Sequence, residues 1–281
     1  MTFHVEPITG RYGHVEIGGR MHRLYWEEAG QGIPLVCLHT AGADGRQYRA
    51  VLNDPEVTAH HRVIVFDMPR HGKSSPAPGT VDEDYALTSE GYVEQILAVC
   101  DALALEKPVV MGCSIGGRIV LHLAHRHPER FRALIGLQSS DHVAPYYDTG
   151  WLHRADVHGG EVCGAVAYGL MAPQSPEAER DETRWHYMQG GPGVFKGDLW
   201  FYKVDGDISA EVAEIDVSRC PIHLLTGSYD YSCTPDDTRD LARRLGVEMT
   251  EMEGMGHFPM SENPARFLDY LRPVLAKIRE G

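Results

Sequence analysis

Short apolar and β-branched runs alternate along this chain with longer segments of helical periodicity. The runs are PLVCLH at 34–39, RVIVFD at 62–67, PVVMGC at 108–113, ALIGL at 133–137, PIHLLTG at 221–227 and the weaker VEMTEM at 247–252. The helical segments are 88–105, 115–128, 234–246 and 263–278. Because runs this short and apolar are typical of strands buried on both faces, the alternation predicts an α/β fold. We expect a mostly parallel, doubly wound sheet with helices on both faces.

The first 30 residues and the stretch from 141 to 216 depart from this alternation. GHVEIGG and RMHRLYWEE alternate polar and apolar residues around a Gly-Gly pair, which predicts an antiparallel hairpin at one edge of a sheet of about eight strands. Residues 141–216 contain no run that resembles a buried strand. We therefore expect a core formed by 1–140 and 217–281, with a mostly helical lid inserted at 141–216.

The expected lid is rich in aromatic side chains, some of which should pack it onto the core while others line a pocket. It carries Tyr146, Tyr147, Trp151, Tyr168, Trp185, Tyr187, Phe195, Trp200, Phe201 and Tyr202. An apolar or aromatic small-molecule substrate is the partner that such a segment favours. As candidate pocket residues we name Tyr168, Trp185 and Trp200, together with His39.

The charge of the chain limits its other partners. The formal net charge is -14, and no cluster of Lys and Arg is present to bind phosphate backbones or anionic membranes. The N-terminal stretch MTFHVEPITG lacks the basic and apolar regions of a secretory signal. We expect no nucleic-acid or membrane partner. The sequence is compatible with a homo-oligomer.

The cysteines point to a reducing compartment. The chain has six, at positions 37, 100, 113, 163, 220 and 233, with no C-x-x-C spacing, and three of them adjoin apolar strand-like runs. Reduced, packed thiols explain this pattern best, so we expect a cytoplasmic protein.

Residues 112–116, GCSIG, are the first motif that indicates chemistry. They fit G-x-S-x-G, and they follow an apolar strand and precede a helix, as this motif requires. A serine on such a tight turn adopts strained backbone angles, and flanking glycines leave room for the neighbouring strand and helix. The pattern predicts that Ser114 is a nucleophile at the carboxyl edge of the sheet.

A serine nucleophile needs a base and an acid that orients the base. Asp230 follows the strand PIHLLTG in a loop that leads into a helix, and His257 lies in a Gly-flanked loop before the last helix. The chain order of Ser114, then Asp230, then His257, is the order expected for a triad on this kind of sheet. We predict that these three residues are catalytic.

Four segments of the chain together resemble the α/β-hydrolase superfamily. LHTAGADGRQY is similar to its oxyanion loop, VFDMPRHGKSS to its D-x-x-G-x-G-x-S loop, MGCSIGG to its nucleophile elbow and GHFPMSENP to its histidine loop. The resemblance covers nearly the whole chain, and implies the α/β-hydrolase fold, no cofactor and no metal.

By this resemblance, the oxyanion hole consists of the backbone amides of Ile115 and Ala41. Members usually have glycine directly after the histidine of the oxyanion loop, whereas Thr40 follows His39 here. A β-branched residue does not readily adopt the positive φ of a glycine. The amide of Thr40 therefore stays open as the alternative to that of Ala41.

Several other polar residues have a structural interpretation beside a catalytic one. Asp141 follows the strand at 133–137 and is the alternative acid, although Asp230 is preferred. Asp67 and Arg70 belong to a loop in which the Asp is expected to accept hydrogen bonds from turn amides. His39 is expected to orient the oxyanion loop rather than to act as a base.

Three further features are expected to be structural. Cys113 precedes the nucleophile and should pack inward as a small apolar residue. His122, His125 and His127 have helical spacing but no further ligand type to complete a metal site, so they read as helix-surface residues. GGPGVF at 190–195 lacks the strand–turn–helix context of a phosphate loop and is expected to be a lid hinge.

These features predict a serine hydrolase that cleaves a carboxylic ester or a lactone through an acyl-enzyme. Hydrolysis of a C–C bond in ring-fission products of aromatic degradation is the alternative, since lid-capped relatives of similar length catalyse it. A ligand-binding module without turnover is the third hypothesis, which an intact triad disfavours. The sequence does not identify the substrate, because specificity depends on how lid side chains are oriented.

Overall fold

One eight-stranded sheet forms the centre of the computed structural model, which describes residues 3–142, 149, 152 and 158–281. The strands are β1 (Thr9–Ile17), β2 (Arg20–Ala29), β3 (Ile33–Leu38), β4 (His61–Phe66), β5 (Val109–Cys113), β6 (Ala133–Leu137), β7 (Ile222–Gly227) and β8 (Met249–Met252). Their spatial order is β1-β2-β4-β3-β5-β6-β7-β8. The β1–β2 and β2–β4 pairs are antiparallel and the other pairs are parallel. The expected mostly parallel sheet of about eight strands is confirmed.

Ten α-helices connect or follow these strands within the described residues. They are α1 (Arg49–Asn53), α2 (Pro55–Thr58), α3 (Ser89–Ala102), α4 (Ile115–Arg126), α5 (Gly159–Leu170), α6 (Glu177–Met188), α7 (Val194–Val204), α8 (Pro235–Leu245), α9 (Pro259–Glu262) and α10 (Pro264–Glu280). None of the described helices is long and apolar enough to cross a membrane.

The sheet is covered on both faces because consecutive strand residues point to opposite sides. In β3, Val36 packs into one core together with residues of α3, α4 and α8. Its neighbour Cys37 packs into a second core together with residues of α1, α2 and α10. The central strands β3, β5 and β6 therefore contain no charged residue and are almost entirely apolar, and the sheet is doubly wound as expected.

The first hairpin is closed by the Gly-Gly pair in its sequence. Gly18 and Gly19 have φ values of 59° and 70°, and the strands pair from Ile17 with Arg20 out to Thr9 with Glu28. A two-residue turn with positive φ at both positions matches the twist of its strands, and glycine adopts it without strain. The hairpin lies at the sheet edge, as predicted.

Helices α5, α6 and α7 lie in the chain between β6 and β7, within the segment expected to be the lid. Three aromatic residues of that segment, Tyr146, Tyr147 and Trp151, are outside the described residues. All six cysteines are buried and none forms a disulfide.

Candidate active site

Ser114 lies between the end of β5 and the start of α4, in a strained backbone conformation. Its φ and ψ are 59° and -112°. A Cβ on Gly112 would lie 2.4 Å from the carbonyl group of Gly116, and one on Gly117 would lie 2.3 Å from the carbonyl oxygen of Leu137. Only glycine fits at these two positions, since backbone atoms cannot move away cheaply. The glycines of the motif therefore permit the turn that exposes the serine hydroxyl.

The structure brings Ser114, His257 and Asp230 into one hydrogen-bonded chain. The Oγ of Ser114 lies 2.9 Å from Nε2 of His257, and Nδ1 of the same ring lies 2.6 Å from Oδ2 of Asp230. All three follow parallel strands, which end at the same edge of the sheet. This is the arrangement in which a histidine takes the serine proton while a carboxylate fixes the ring orientation.

The carboxylate of Asp230 is held from both sides. Its Oδ1 accepts hydrogen bonds from the amides of Ser232, at 2.8 Å, and Cys233, at 3.1 Å, which leaves Oδ2 facing the histidine. Asp141, the alternative acid, is engaged elsewhere. Its carboxylate binds the guanidinium of Arg244 and the ring of His142.

In the loop after β3, which we expect to be the oxyanion loop, Thr40 has defined hydrogen-bond partners. The amide and the Oγ1 of Thr40 both donate to Oε1 of Gln47, each at 3.0 Å, and Oγ1 also binds the hydroxyl of Tyr187. Thr40 does not have a positive φ, whereas Gly42 does, at 72°. The Thr40 amide is therefore already engaged, while Ala41 lines the cavity beside Ser114.

His39 connects this loop to the loop after β4 through two hydrogen bonds. Its Nδ1 donates to the carbonyl of Thr40 at 2.9 Å, and its Nε2 accepts from the amide of Met68 at 3.1 Å. Burial and the neighbouring His71 lower its pKa to about 4, although the hydrogen bond to Thr40 opposes this. His39 is thus a neutral, buried ring that joins two loops, and it does not line the Ser114 cavity.

The cavity at Ser114 is lined by both polar and apolar side chains, and we call it the Ser114 cavity. It is lined by Thr40, Ala41, Ser114, Arg118, Gln138, Ser140, Val166, Leu170, Tyr187, Phe195, Leu199, Tyr202, Ser232, Cys233, His257 and Phe258. Helices α5, α6 and α7 supply six of these side chains, so the segment between β6 and β7 covers the serine. Sequence reasoning named some of these aromatics but not their orientation.

The remaining candidate pocket residues lie away from this cavity, which corrects the expectation for them. Trp185 and Trp200 are 55% and 43% exposed. Tyr168 lies beneath the guanidinium groups of Arg180 and Arg184, at 5.1 Å and 5.9 Å from its ring centroid. Trp185 and Trp200 stand on the outer faces of their helices, whereas Tyr168 is partly buried against the core. The aromatic count of the segment could not reveal either placement.

Two residues that sequence reasoning did not single out are prominent at the site. The hydroxyl of Tyr202 lies 3.0 Å from Oγ of Ser114, and burial raises the pKa of this phenol well above its ordinary value. Arg118 follows the nucleophile by one helical turn and is almost fully buried. The position of Arg118 four residues after the serine was the one available signal for it.

A buried carboxylate ties α7 to the oxyanion loop. Oδ2 of Asp198 accepts from the amide of Gly42 at 2.7 Å and contacts Nε2 of His71 at 2.8 Å, while Oδ1 accepts from the hydroxyl of Tyr85 at 2.7 Å. Nδ1 of His71 faces the carbonyl of Pro69 at 3.0 Å. With an acceptor at each nitrogen, the ring is suited to the doubly protonated form.

The loop after β4 is placed as a structural element. Asp67 accepts from the amides of Gly45 and Lys73 at 2.8 Å and 2.7 Å. Burial raises the pKa of this carboxyl to about 6. Arg70, at a φ of 75°, donates to the carbonyl of Thr80. Neither side chain lines the Ser114 cavity.

The remaining candidates are also placed by packing contacts. Cys113 is buried, and its thiol donates to the carbonyl of His257 at 3.2 Å. His122 is buried against Phe201, which differs from the expected surface position, while His125 pairs with Glu214 at 3.0 Å. Gly193, within the expected hinge, has a φ of 73° at the start of α7. Among the described residues, no group of His, Cys, Asp or Glu side chains is placed to hold a metal ion.

Comparison with known proteins places this architecture among hydrolases. A family model described as the alpha/beta hydrolase fold matches residues 33–157. A zearalenone hydrolase from Cladophialophora bantiana is 25% identical over 258 residues, which cover 88% of this chain and 90% of that protein. A 2-hydroxymuconate semialdehyde hydrolase from a Pseudomonas species is 36% identical over 122 residues, which cover 42% of this chain and 40% of that protein.

The coverage of the relatives is uneven. The dihydrolipoyllysine-residue acetyltransferase component of an acetoin cleaving system from Pseudomonas putida is 37% identical over 42% of this chain, but this chain spans only 30% of that protein. The matches to this protein and to the 2-hydroxymuconate semialdehyde hydrolase each concern one segment of about two-fifths of this chain.

Solved structures match over nearly the whole chain. An esterase from Thermogutta terrifontis has a TM-score of 0.80 at 20% identity and covers 95% of this chain and 99% of its own. An N-acyl homoserine lactone degrading enzyme has a TM-score of 0.76 at 26% identity and covers 93% of this chain and 99% of its own. From the sheet order, the strained serine turn and these similarities, we conclude that this chain has the α/β-hydrolase fold.

Proposed function

We propose that this protein is a serine hydrolase that cleaves a carboxylic ester or a lactone. The observation that carries the proposal is the chain of contacts from Ser114 Oγ to His257 Nε2, at 2.9 Å, and from His257 Nδ1 to Asp230 Oδ2, at 2.6 Å. A serine is a weak nucleophile until a base within hydrogen-bond reach takes its proton. Here that base and its orienting carboxylate are both in place.

The first half of the reaction forms an acyl-enzyme. His257 takes the Ser114 proton as Oγ attacks the carbonyl carbon, and Asp230 stabilises the imidazolium that results. We assign the oxyanion hole to the amides of Ala41 and Ile115. The Ile115 amide begins α4 and has no partner within the helix, whereas the Thr40 amide is used by Gln47.

The leaving alkoxide takes the proton of the imidazolium as its bond to the carbonyl carbon breaks, which completes the acyl-enzyme. In the second half, the neutral His257 activates a water that attacks the acyl carbon, and the proton it takes passes to Ser114 Oγ as the acyl–serine bond breaks. Release of the acid restores the Ser114 hydroxyl. An ester and a lactone follow the same steps, except that the alcohol of a lactone stays attached to the acid.

We propose further that residues 141–216 act as a lid on a core formed by 1–140 and 217–281. Support comes from the Ser114 cavity, where Val166 and Leu170 of α5, Tyr187 of α6 and Leu199 of α7 cover the serine. Such a covering excludes water from the reacting bond and selects a small substrate with an apolar part. The relatives that act on zearalenone and on an N-acyl homoserine lactone are consistent with this class of substrate.

Hydrolysis of a C–C bond in a ring-fission product is a second candidate. The 36% identity to a 2-hydroxymuconate semialdehyde hydrolase over 122 residues favours it. The same triad would serve, but the leaving group would be a carbanion equivalent that needs a proton at carbon. Comparing the turnover of a ring-fission dienoate with that of simple esters separates the two reactions. A preference for esters by orders of magnitude would exclude C–C bond hydrolysis as the function.

A fluorophosphonate probe and a panel of 4-nitrophenyl esters and lactones test the leading proposal. We expect a covalent adduct on Ser114 and ester cleavage that falls by at least about a thousandfold in Ser114→Ala. Ser218→Ala, which changes an exposed serine at a turn, is the matched control and should keep wild-type activity.

A folded wild-type protein that forms no adduct would overturn the hydrolase proposal. An adduct without turnover of any ester, lactone or dienoate would instead support the ligand-binding hypothesis. An adduct that persists in Ser114→Ala would show that another residue is the nucleophile.

A further inference from the structure

One of the polar residues that line the Ser114 cavity is a buried cation. Arg118 lies on α4, one turn after the nucleophile, and its amide donates to the carbonyl of Ser114 at 2.9 Å. Its side chain lines the cavity although the residue is only 2% exposed. A guanidinium this buried is uncommon, since charged side chains are seldom fully buried unless they are paired.

Only part of the hydrogen-bonding capacity of the guanidinium is used. Nη2 donates to Oγ of Ser140 at 2.7 Å, Nη1 makes a long contact of 3.4 Å with the carbonyl of Gly206, and Nε has no hydrogen-bond partner. The group also lies 5.0 Å from the ring centroid of Tyr202. Within the described part of the chain, no carboxylate forms an ion pair with Arg118.

The two carboxylates whose charges act on Arg118, those of Asp141 and Asp207, are engaged by other partners. Both oxygens of Asp141 are engaged, one by Arg244 and the other by His142. Asp207, on the outer side, accepts from the amide of Ser209 at 2.8 Å. Burial lowers the pKa of Arg118, yet a guanidinium stays charged in proteins at any working pH. As far as the described residues go, the site therefore holds a positive charge without a negative partner.

Such a charge is costly to bury and gains most from a ligand that brings the missing anion. A carboxylate fits the planar fork of arginine better than other common groups do, through two parallel hydrogen bonds. The hydroxyls of Ser140, Ser232 and Tyr202 also line the cavity and add neutral donors, and those of Ser140 and Tyr202 belong to residues that contact Arg118. The lining also includes apolar side chains, Val166 and Phe195 among them.

We propose that the Ser114 cavity takes an ester or lactone that carries a free carboxylate, and that Arg118 binds this carboxylate. The inference rests on the proposed function and narrows its substrate class. Arg118 and Ser114 are one helical turn apart, about 6 Å along the axis of α4. The carboxylate of the substrate is thus a few bonds from the carbonyl that Ser114 attacks.

Two matched pairs of substrates test the proposal. Mono-4-nitrophenyl glutarate and its neutral terminal amide differ only in a charge on the acyl side. 4-Carboxyphenyl butyrate and 4-carbamoylphenyl butyrate differ in the same way on the alcohol side. We expect wild type to prefer the carboxylate in at least one pair, and a preference for neither carboxylate would overturn the proposal.

Arg118→Gln should remove this preference. We expect kcat/KM for the favoured carboxylate to fall about tenfold to hundredfold, while its amide counterpart changes by less than about threefold. Arg126→Gln is the matched control, because Arg126 lies on the same helix, is exposed and donates to Oγ of Ser89 at 3.2 Å. An equal loss on both members of a pair would assign Arg118 a structural role and overturn the proposal.

A binding measurement keeps the carboxylate site testable apart from catalysis. In Ser114→Ala protein, free glutarate should raise the melting temperature, and adding Arg118→Gln should abolish that rise. If no ester is cleaved but the glutarate effect is present and depends on Arg118, the hydrolase proposal fails and the carboxylate site stands. Glutarate that stabilises neither protein overturns the site.

The stability of an apolar variant gives a further readout. Arg118→Met replaces a charge that has no ion-pair partner among the described residues with an apolar side chain, so the melting temperature without ligand should stay equal to that of wild type or rise. A fall of more than about 5 °C would mean that the guanidinium holds the fold together, which overturns the proposal.

Discussion

Ser114 shows how a single residue joins local strain to chemistry. Its positive φ is tolerated because Gly112 and Gly117 let the backbone of β5, α4 and β6 approach at distances no side chain would permit. The strain directs Oγ away from the sheet, toward His257 and the hydroxyl of Tyr202. Two hydrogen bonds then hold the Ser114 hydroxyl, the proposed nucleophile.

Tyr202→Phe removes one of these hydrogen bonds without changing the shape of the cavity. Because a neutral hydrogen bond contributes about 1 kcal/mol, we expect kcat/KM for ester substrates to fall about fivefold to tenfold. The rate of Ser114 modification by the fluorophosphonate probe should fall in parallel. Tyr229→Phe, at an exposed tyrosine, is the control, and a Tyr202→Phe enzyme with wild-type rates would show that the phenol is a spectator.

Trp185 and Trp200 test the correction made to the candidate pocket residues. Both are exposed on the outer faces of α6 and α7. We expect Trp185→Ala and Trp200→Ala to leave the profile across an ester panel of varied acyl length unchanged, with a stability change within about 0.5 kcal/mol. Leu199→Ala, inside the Ser114 cavity, is the contrasting variant, and its profile should shift toward longer or bulkier acyl groups.

Among the elements, α7 is connected most directly to the oxyanion loop. Asp198 binds the amide of Gly42 and the ring of His71, so the placement of α7 and that of the loop depend on one carboxylate. Burial lowers the pKa of His71, but the charge of Asp198 and the hydrogen bonds to Asp198 and Pro69 outweigh it, and the pKa ends above its ordinary value of 6.5. The pair is therefore an ion pair when the ring is protonated.

This ion pair predicts a pH-dependent stability. Since the folded pKa of His71 exceeds the unfolded one, its contribution is fully present below about pH 6.5 and is lost as the pH rises through the folded pKa. At about pH 6, His71→Gln should lower the free energy of unfolding by about 3 kcal/mol. Urea unfolding at about pH 6 and about pH 9 should show this difference shrinking at the higher pH.

The exposed pair of His125 and Glu214 is the matched control for that experiment. Its nitrogen and oxygen lie 3.0 Å apart, as in the buried pair, but solvent screens them. His125→Gln should change stability by less than about 1 kcal/mol at either pH. A difference between wild type and His71→Gln that grows with pH would contradict the ion pair.

At the scale of the whole molecule, the negative net charge of the chain repels the proposed carboxylate substrate until it reaches Arg118. The chain carries a formal net charge of -14, whereas Arg118 offers a local positive charge inside the cavity. Long-range repulsion of an anionic substrate is screened by salt, but a buried contact is screened much less. The two effects therefore separate in a salt titration.

We expect kcat/KM for the favoured carboxylate substrate to rise about twofold between about 10 mM and about 200 mM salt, because screening weakens the repulsion. Its neutral amide counterpart, measured in the same buffers, should change little. A fall of kcat/KM for the carboxylate with salt would mean that a positive field guides the substrate, contrary to this account.

Most of the fold and the positions of the proposed triad residues were predictable from the sequence. Strand runs such as 133–137 and the glycines around Ser114 are local patterns, because burial on two faces and a tight turn each impose a residue type at a fixed spacing. Asp230 and His257 could be named because their loops follow strands that end at one edge. The oxyanion amide was left between Ala41 and Thr40, because no local pattern shows that Gln47 engages the latter.

What the sequence determined by itself is the order of elements and the places where chemistry can occur. What only the tertiary structure decided is which side chains meet there: Tyr202 reaches Ser114 across 88 residues of chain, and Trp200, two positions earlier on the same helix, faces outward. The physical reason is that helix rotation and packing on the sheet depend on contacts from the whole fold. The unpaired charge of Arg118 became visible only once its surroundings in space were known.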